Sequence, residues 1–418
     1  MSPTEANPGT ATLSVPTWLT PQLLTQALRE EDDACGQVTT IRVRPATAAN
    51  ENYLSELFRV QAHVGKCDVR RLIVKAVPSE EACSAIVQAG GFFEREARML
   101  RDTLPRLQRQ LAAGMSHRPP SHLQMGPRAI ATCPNGSLVM EDLAARGYGN
   151  VPRREGLDLP HSLMAVRVLA RLHAASVVLH DRSEAHGRAL EAYGRGWVED
   201  GVADSFQQLV RTSVLALADV VRSWPRFGED VARRLERTAE TAPKCVVDAA
   251  ANKKGDFLVL CHGDAWSNNI MFTYDEDTAQ VRSAMLVDFQ MVNWGSPALD
   301  LHYFLRLAVA PRVRREAADR VVRSYHNELV ACLAALGWQG EPPTLAALQR
   351  DMRARAYWAF AFTVILSPIR FVDTELAMDS QSLLDRKNPA RIRTLNEPQC
   401  RRVLEDAIPE FASMGFLD

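Results

Sequence analysis

The sequence predicts an α+β protein of two lobes, with an antiparallel sheet and a helix in a small N-terminal lobe and a larger, mainly helical C-terminal lobe. In the first third of the chain apolar residues recur with a period close to two, as in strands, and beyond it they recur at helical spacing. At 418 residues the chain is also long enough for two units that each bury a core. The lobes are expected at residues 17–142 and 143–418.

The N-terminal lobe follows a predicted disordered tail. Residues 1–16 have neither a basic region nor an apolar core, so they do not resemble a secretory signal. A short amphipathic helix is indicated by WLTPQLLTQALREEDD, and three strands in a meander by TTIRVRPA, NYLSELFRVQAHV and CDVRRLIVKAVP. A helix is expected from about Ser79 to Leu104. Two more strands, LQMGPRAIATC and SLVMEDL, complete the lobe.

The C-terminal lobe is predicted to be helical around a small strand pair. One long helix is indicated by apolar residues three or four apart from Leu163 to Val177. Strand character returns in FLVLCHGD to NIMFTY and in VRSAMLVDF. From Pro297 onward the pattern is helical again. We expect the strand pair to hold the polar residues around it on rigid backbone.

Composition excludes several classes of partner. Lys and Arg total 49 against 50 Asp and Glu, so no excess positive charge is available for a nucleic-acid backbone. The eight cysteines show no CxxC pair or zinc spacing, which favours reduced thiols in a cytosolic protein. The longest apolar run, Ala356 to Leu366, is far below the roughly twenty residues that cross a bilayer. We expect a cytoplasmic protein with no nucleic-acid or membrane partner.

Two acids and an amide stand at intervals that suit a metal and a phosphate. HGDAWSNN places Asp264 and Asn269 on one loop, and Asp288 directly follows the apolar run MLV. The first interval equals that of the kinase loop HRDxxxxN, in which the Asp orients a hydroxyl and the Asn holds metal. Carboxylate and amide oxygens suit Mg²⁺, a hard ion. Each piece alone is also typical of an ordinary turn or cap, so the prediction depends on their order along the chain.

A lysine and a glutamate precede this loop in kinase order. Lys75, in the strand LIVKAVP, would meet the α- and β-phosphates of a nucleotide, and Glu96 on the next helix would fix it. Glu94 is the competing partner. Glu96 is preferred because it lies between Phe93 and Leu100 on the apolar face of that helix. A solvated lysine on an edge strand is the alternative for Lys75, although its apolar neighbours argue against full exposure.

Other residues are assigned supporting positions. His262 is expected to be hydrogen-bonded and structural rather than a proton-transfer group. Asp300, in SPALDL, could be an acid stabilised by the helix dipole or one that braces the loop around Asp264, and we favour the brace. Five aromatic residues from Tyr357 to Phe371 could line an apolar pocket, but a core helix has the same composition and is the default.

The chain resembles the ecdysteroid kinase-like, or CHK-domain, family, which shares the bilobal protein-kinase-like fold with choline kinases and aminoglycoside phosphotransferases. The similar stretches are HGDAWSNNIMF, LVDFQMVNWGSPALDL, LVMEDL, FEREARML followed by LeuPro, and LARLHAAS, within roughly residues 40 to 370. The resemblance implies phosphoryl transfer to a hydroxyl of a small molecule, with ATP and Mg²⁺ as cofactors. The first lobe would then bind nucleotide, and the second would carry the catalytic and acceptor sites.

The resemblance also implies roles for individual residues. Asp264 would be the catalytic acid or base, Asn269 and Asp288 the magnesium ligands, and Lys75 with Glu96 the phosphate-positioning pair. The adenine-facing hinge is implied at Met140, Glu141 and Asp142. The phosphate-covering loop is implied at Asn52, Tyr53 and Ser55.

The chain departs from the family pattern in the phosphate-covering loop. Relatives tend to have Gly before GluAsn, whereas this chain has Asn50. Asn tolerates a left-handed backbone better than most residues, so the turn can form.

The sequence predicts the reaction, phosphoryl transfer, in more detail than the identity of the acceptor molecule. The leading hypothesis is an ecdysteroid, through its 22-hydroxyl for example, or a similar hydrophobic alcohol. The alternatives are a choline- or aminoglycoside-type kinase, whose cation site should be acidic or aromatic, and a catalytically inactive kinase-like binding protein. Retention of the lysine, the two aspartates and the asparagine favours an enzyme. No obligate protein partner is evident.

Overall fold

The structure is a computed structural model that describes residues 15–47, 55–78, 87–88, 90–182, 190–194, 196–198, 203–372 and 384–417. These residues form a sheet-based N-terminal lobe and a mainly helical C-terminal lobe, which confirms the α+β, bilobal fold class. All but the end of the predicted tail lies outside the described residues. The lobe boundary near residue 142 stays a prediction.

The N-terminal lobe contains an antiparallel sheet of five strands in the order β1-β2-β3-β5-β4. The strands are β1 (Val38–Pro45), β2 (Glu56–Val64), β3 (Asp68–Ala76), β4 (Ala129–Thr132) and β5 (Leu138–Glu141). Lys75 on β3 pairs with Leu57 on one side and with Leu138 on the other. Because β3 is the central strand, the edge-strand alternative for Lys75 is wrong.

Two helical segments pack against this sheet. The first, α1 (Pro21–Glu31), begins after Thr20, whose hydroxyl accepts the N–H of Leu23 at 3.2 Å. It buries Leu24 and Leu28 in a cluster with the sheet residues Phe58 and Val60.

The second segment is longer than predicted. It consists of α2 (Phe92–Arg98), a π-helical turn (Met99–Thr103) and α3 (Leu104–Gly114), followed by a short α4 (Pro120–Leu123). We expected it to end at Leu104, before Pro105. Proline removes a backbone donor and crowds the preceding turn, but the wider π-helical turn accommodates it and the helix continues. Residues 79–86 of the predicted helix lie outside the described part of the chain.

The described helices of the C-terminal lobe are α5 (Leu159–Arg182), α6 (Ala203–Val221), α7 (Gly228–Ala250), α8 (Pro297–Tyr303), α9 (Pro311–Ala335), α10 (Leu345–Ala354), α11 (Ala356–Phe371), α12 (Pro389–Leu395) and α13 (Pro398–Ser413). The predicted long helix is α5. Among the described helices α5 is long and apolar enough to cross a bilayer, but 78% of its apolar window is buried inside the protein, as in a core helix. On α11, Trp358, Phe360, Phe362 and Phe371 are buried in the core, which confirms the default interpretation of these aromatics.

Two small sheets hold the loop singled out by the sequence. One pairs β7 (Val259–Cys261) with β10 (Asn293–Gly295), and the other contains β6 (Gly149–Asn150), β8 (Ile270–Tyr274) and β9 (Val281–Leu286). The predicted strand pair corresponds to β8 and β9, whereas the pairing of β7 with β10 was not predicted. The N–H of Val287, after β9, donates to the carbonyl of Asn269 at 2.9 Å. This bond places the loop before β8 beside the chain that leaves β9.

Candidate active site

The loop between β7 and β8 is braced by a carboxylate from α8. Asp300 accepts the N–H of His262 at 2.7 Å and that of Gly263 at 2.8 Å, one on each oxygen. His173 Nε2 lies 3.0 Å from Oδ2. Burial alone would raise the pKa of Asp300, but its hydrogen bonds, first that from His173, hold the pKa below the usual value. Asp300 is therefore a buried, ionised support for the loop.

Gly263 and His262 fit this loop into a narrow space. Gly263 has φ +79°, and a Cβ there would lie 2.0 Å from the carbonyl oxygen of Met291. His262 is buried, with Nε2 3.1 Å from the carbonyl oxygen of Val287 and Nδ1 3.3 Å from the N–H nitrogen of Asp264. Burial lowers the pKa of His262, so the imidazole is neutral and links the loop to the end of β9.

Both carboxylate oxygens of Asp264 accept hydrogen bonds. Asn269 Nδ2 donates to Oδ2 at 2.8 Å and to the Asp264 carbonyl at 3.0 Å, and the hydroxyl of Tyr303 donates to Oδ1. Burial, and next the charge of Asp288, raise the pKa of Asp264 well above its usual value, against the effect of these hydrogen bonds. A carboxyl group with a raised pKa binds a proton more readily than an ordinary aspartate does, which suits a group that accepts a proton.

Lys75 binds two carboxylates, one from each lobe. Its Nζ lies 2.6 Å from Glu96 Oε2 and 2.7 Å from Asp288 Oδ1. Burial alone would lower the pKa of Lys75, but the two carboxylates outweigh burial and raise it, so the lysine is charged. The other oxygen of Glu96 accepts the N–H of Phe289 at 3.1 Å. The partner of Lys75 is thus Glu96, whereas Glu94 is exposed.

Asp288 has an unusual backbone conformation. Its φ of 66° and ψ of 71° lie in the left-handed region, which is uncommon for a residue with a Cβ, although aspartate adopts it more readily than most. The strain is held by neighbours on both sides: Lys75 binds the side chain, and Glu96 binds the next N–H. Such strain is typical of functional sites.

Four of the site's side chains line a cavity of about 380 Å³ between the lobes, whereas Asp264 is not among its lining residues. Its wall includes Lys75 and Glu96 from the N-terminal lobe and Asn269 and Asp288 from the C-terminal lobe. The amide nitrogen of Asn269 is committed to Asp264, and its amide oxygen has no hydrogen-bond partner among the described residues. Two oxygen donors from separate turns therefore share one cavity.

The predicted hinge also lines this cavity, but its donors are already used. Met140, Glu141 and Asp142 are all on the wall. The N–H groups of Glu141 and Asp142 donate to main-chain carbonyls, and the carboxylate of Asp142 binds Arg59 at 2.7 Å. Leu143 follows on the same wall and opens a 3₁₀ turn, so its N–H has no partner within that turn. A base bound here would find its donor at Leu143.

The predicted phosphate-covering residues are only partly described. Asn52 and Tyr53, with Asn50, lie outside the described residues. Ser55, directly before β2, is 6% exposed and is not among the residues that line the cavity.

A buried cluster of side chains contacts Asp300 on the side away from the loop. The sequence did not predict that its members lie together. His173 lies between Asp300 and the hydroxyl of Tyr325, which is 2.7 Å from Nδ1. Cys261 lies close enough to form a three-ligand group with His173 and Asp300. Its Sγ donates to the carbonyl of Ser296 at 3.3 Å, and burial raises the pKa of its thiol well above the usual value. Each member already has a hydrogen-bond partner among the described residues, so the cluster acts as a structural support for the loop.

The model of the Ecdysteroid kinase-like family matches residues 49–338, more than half of the chain. This chain belongs to that family. Membership confirms the resemblance seen in the sequence and supports a small-molecule phosphotransferase that uses a nucleotide.

Curated relatives match over part of their length. The uncharacterized oxidoreductase dhs-27 of Caenorhabditis elegans is 24% identical over 205 residues, 47% of this chain and 23% of that protein. A 4-hydroxytryptamine kinase of Psilocybe cyanescens is 39% identical over 46 residues, 11% of this chain and 13% of that protein. The chain therefore covers less than a quarter of either relative.

Solved structures of phosphotransferases also resemble the chain. A GDP complex of a mutant aminoglycoside 2′-phosphotransferase-IIIa has 11% identity and a TM-score of 0.44, over 94% of this chain and 100% of that one. The choline kinase LicA from Streptococcus pneumoniae has 10% identity and a TM-score of 0.35, over 81% and 98%.

Proposed function

We propose that this chain is an ATP-dependent phosphotransferase that requires Mg²⁺ and phosphorylates a hydroxyl of a small molecule. The observation that supports this most is the shared cavity: Asn269 and Asp288 line the same wall as Lys75 and its partner Glu96. An inactive binding protein would have no need of a strained aspartate beside a charged lysine. Each of these four residues is proposed to have the role that the sequence predicts for it.

Asn269 and Asp288 are the proposed magnesium ligands. Lys75 occupies Oδ1 of Asp288, and the contact to Oδ2 from Gln290 Nε2 is long, at 3.5 Å. Oδ2 and the amide oxygen of Asn269 are therefore the oxygens available to a hard cation. A bound magnesium ion would neutralise charge on the phosphates of the nucleotide.

The cavity's side chains and Asp264, which is hydrogen-bonded to Asn269, would each contribute to the transfer. Lys75, fixed by Glu96, would place positive charge on the phosphates. A bond would form between the acceptor oxygen and the γ-phosphorus as the bond from that phosphorus to the ADP oxygen breaks. Asp264 would take the proton that the acceptor hydroxyl loses. Leu143 would offer its N–H to the adenine.

The proposed acceptor is a hydrophobic alcohol, with an ecdysteroid as the leading candidate through its 22-hydroxyl. Trp266, two residues after Asp264, is partly exposed and packs against Ile369 and Val372, so the loop that carries the proposed base also carries an apolar side chain. A hydroxyl-bearing amine of the choline or aminoglycoside type is the alternative. The 4-hydroxytryptamine kinase, to which a short stretch is similar, makes that class worth testing.

The remaining expectations are a cytoplasmic location and no nucleic-acid, membrane or obligate protein partner. The net charge of −1 supports the expectation of no nucleic-acid partner, and the burial of α5 supports that of no membrane partner.

A binding and turnover experiment tests this proposal. ATP would be titrated calorimetrically with and without Mg²⁺, and ADP release would be followed with ecdysone, choline, kanamycin and 4-hydroxytryptamine. We expect magnesium-dependent ATP binding and the largest stimulation with ecdysone. Stimulation by an amine alone would move the acceptor to the alternative class. Absence of magnesium-dependent ATP binding would end the kinase proposal, and binding without turnover on any acceptor or water would indicate an inactive binding protein.

A further inference from the structure

One short helix supports three consecutive residues of the active-site loop. Asp300 and Tyr303 lie three residues apart on α8, so their side chains share a face. Asp300 binds the backbone N–H groups of His262 and Gly263, and Tyr303 donates to the side chain of Asp264. Backbone and carboxylate are thus positioned by the same element.

The ring of Tyr303 is fixed by the core. The residue is 2% exposed, and its ring centroid lies 4.9 Å from that of Phe362. Phe362 in turn packs against Trp358 with 4.6 Å between centroids. Because close-packed side chains have little room to change rotamer, the hydroxyl is presented at one point.

The hydroxyl adds a restraint that Asn269 does not supply. Asn269 holds Oδ2 of Asp264, but the terminal torsion of an aspartate is broad, so a carboxylate held at one oxygen can still tilt. With Tyr303 on Oδ1, both oxygens are fixed. Each oxygen keeps a further lone pair with which to accept a hydrogen bond from an acceptor hydroxyl.

We propose that Tyr303 is a positioning residue of the phosphoryl transfer, whose hydroxyl fixes the orientation in which Asp264 accepts the proton of the acceptor. This role rests on the proposed function, in which Asp264 is the base. It differs from a purely structural role because it acts on the rate of transfer and leaves the nucleotide site unchanged.

Tyr303→Phe removes the hydroxyl and keeps the ring in its packing. Hydrogen bonds to charged groups are strong enough that kcat should fall about 10- to 100-fold. KM for ATP and the Kd for ATP with Mg²⁺ should stay at the wild-type values, because the wall formed by Lys75, Asn269 and Asp288 is unchanged.

Tyr148→Phe is the matched control. Tyr148 is also buried, at 6% exposure, and its hydroxyl lies 2.9 Å from Ser283 Oγ on β9. The same atom is lost from a buried tyrosine of the same lobe, so any general effect on folding appears in both variants. We expect wild-type kcat for Tyr148→Phe.

A double-variant cycle shows whether Tyr303 acts through Asp264. ADP release is measured with the alcohol of the panel that gives the highest turnover, or with water as acceptor if none exceeds it. We expect the variant with both Tyr303→Phe and Asp264→Asn to be no slower than Asp264→Asn alone, because residues that act as a unit are not additive. If the two substitutions lower kcat by factors that multiply in the double variant, or if Tyr303→Phe has wild-type kcat, the role of Tyr303 is overturned. Either result would leave the proposed function intact. A wild-type protein without magnesium-dependent ATP binding or turnover would overturn both.

Discussion

Replacing Asp300 with asparagine should loosen the active-site loop and destabilise the protein. The carboxylate accepts two backbone N–H groups, from His262 and Gly263, and is paired with His173. Asparagine is nearly isosteric but offers one acceptor oxygen, and its NH₂ group would face one of these donors. Removing one partner of a buried, charged network costs about 3–5 kcal/mol. We expect a loss of that size in the free energy of unfolding.

Thermal unfolding is the assay for this variant. Unfolding carries an entropy of about 2.1 cal/mol/K per residue, or roughly 0.9 kcal/mol/K for 418 residues, so Tm should fall by about 3–6 °C. The pKa of Asp300 is lower in the folded state, so its stabilisation is present above the unfolded pKa of about 3.9 and is lost as pH falls through the folded pKa. The difference in Tm between wild type and Asp300→Asn should therefore shrink below about pH 4.

Glu328→Gln separates stability from positioning. Glu328 is a buried carboxylate of α9 that accepts hydrogen bonds from Arg118 and Arg171, outside the cavity between the lobes. This variant should also lose stability but keep the kcat of its folded fraction. Asp300→Asn should lose about 100-fold in kcat, because displacement of a reacting group by about 1 Å has that effect. Equal kcat in the two variants, or wild-type Tm in Asp300→Asn, would refute the brace.

Three further substitutions, one of them with a control, test the site. Asp288→Asn should abolish calorimetric binding of ATP that depends on Mg²⁺, since the amide removes a ligand charge; unchanged magnesium dependence would contradict the metal assignment. Asp264→Asn should keep that binding and lower kcat by about 10²- to 10⁴-fold, and wild-type kcat would refute its role as base. Gly263→Ala should lower both Tm and kcat, because its Cβ would lie 2.0 Å from the Met291 carbonyl. Gly65→Ala has a similar φ of +55° with no atom within 4 Å, so it should change Tm slightly and kcat not at all.

The sequence predicted the parts of the site that depend on short-range pattern. The interval between Asp264 and Asn269 is that of one tight loop, and the two side chains are hydrogen-bonded to each other. The helical spacing that favoured Glu96 over Glu94 also held, because one face of α2 is buried and the other is exposed. Local periodicity was sufficient for these residues.

Contacts between distant segments could not be predicted in the same way. Lys75 and Asp288 are separated by 213 residues, and His173 and Asp300 by 127. Nothing in the pattern around His173 indicates which acid it meets. Tyr303 could have been predicted as a neighbour of the loop, because its spacing from Asp300 on a short helix places both residues on one face. The π-helical turn before Pro105 was missed because it depends on the packing of both flanking helices.

Glu96 also connects the two lobes, besides pairing with Lys75. One of its oxygens binds Lys75, in its own lobe, and the other accepts the N–H of Phe289, in the opposite lobe. Lys75 also crosses between the lobes, to Asp288. A nucleotide that engages Lys75 must therefore redistribute the contacts of a lysine that also holds the lobes together. If a nucleotide binds as proposed, occupancy of the cavity would be coupled to the arrangement of the lobes through these charges, which meet at Asp288.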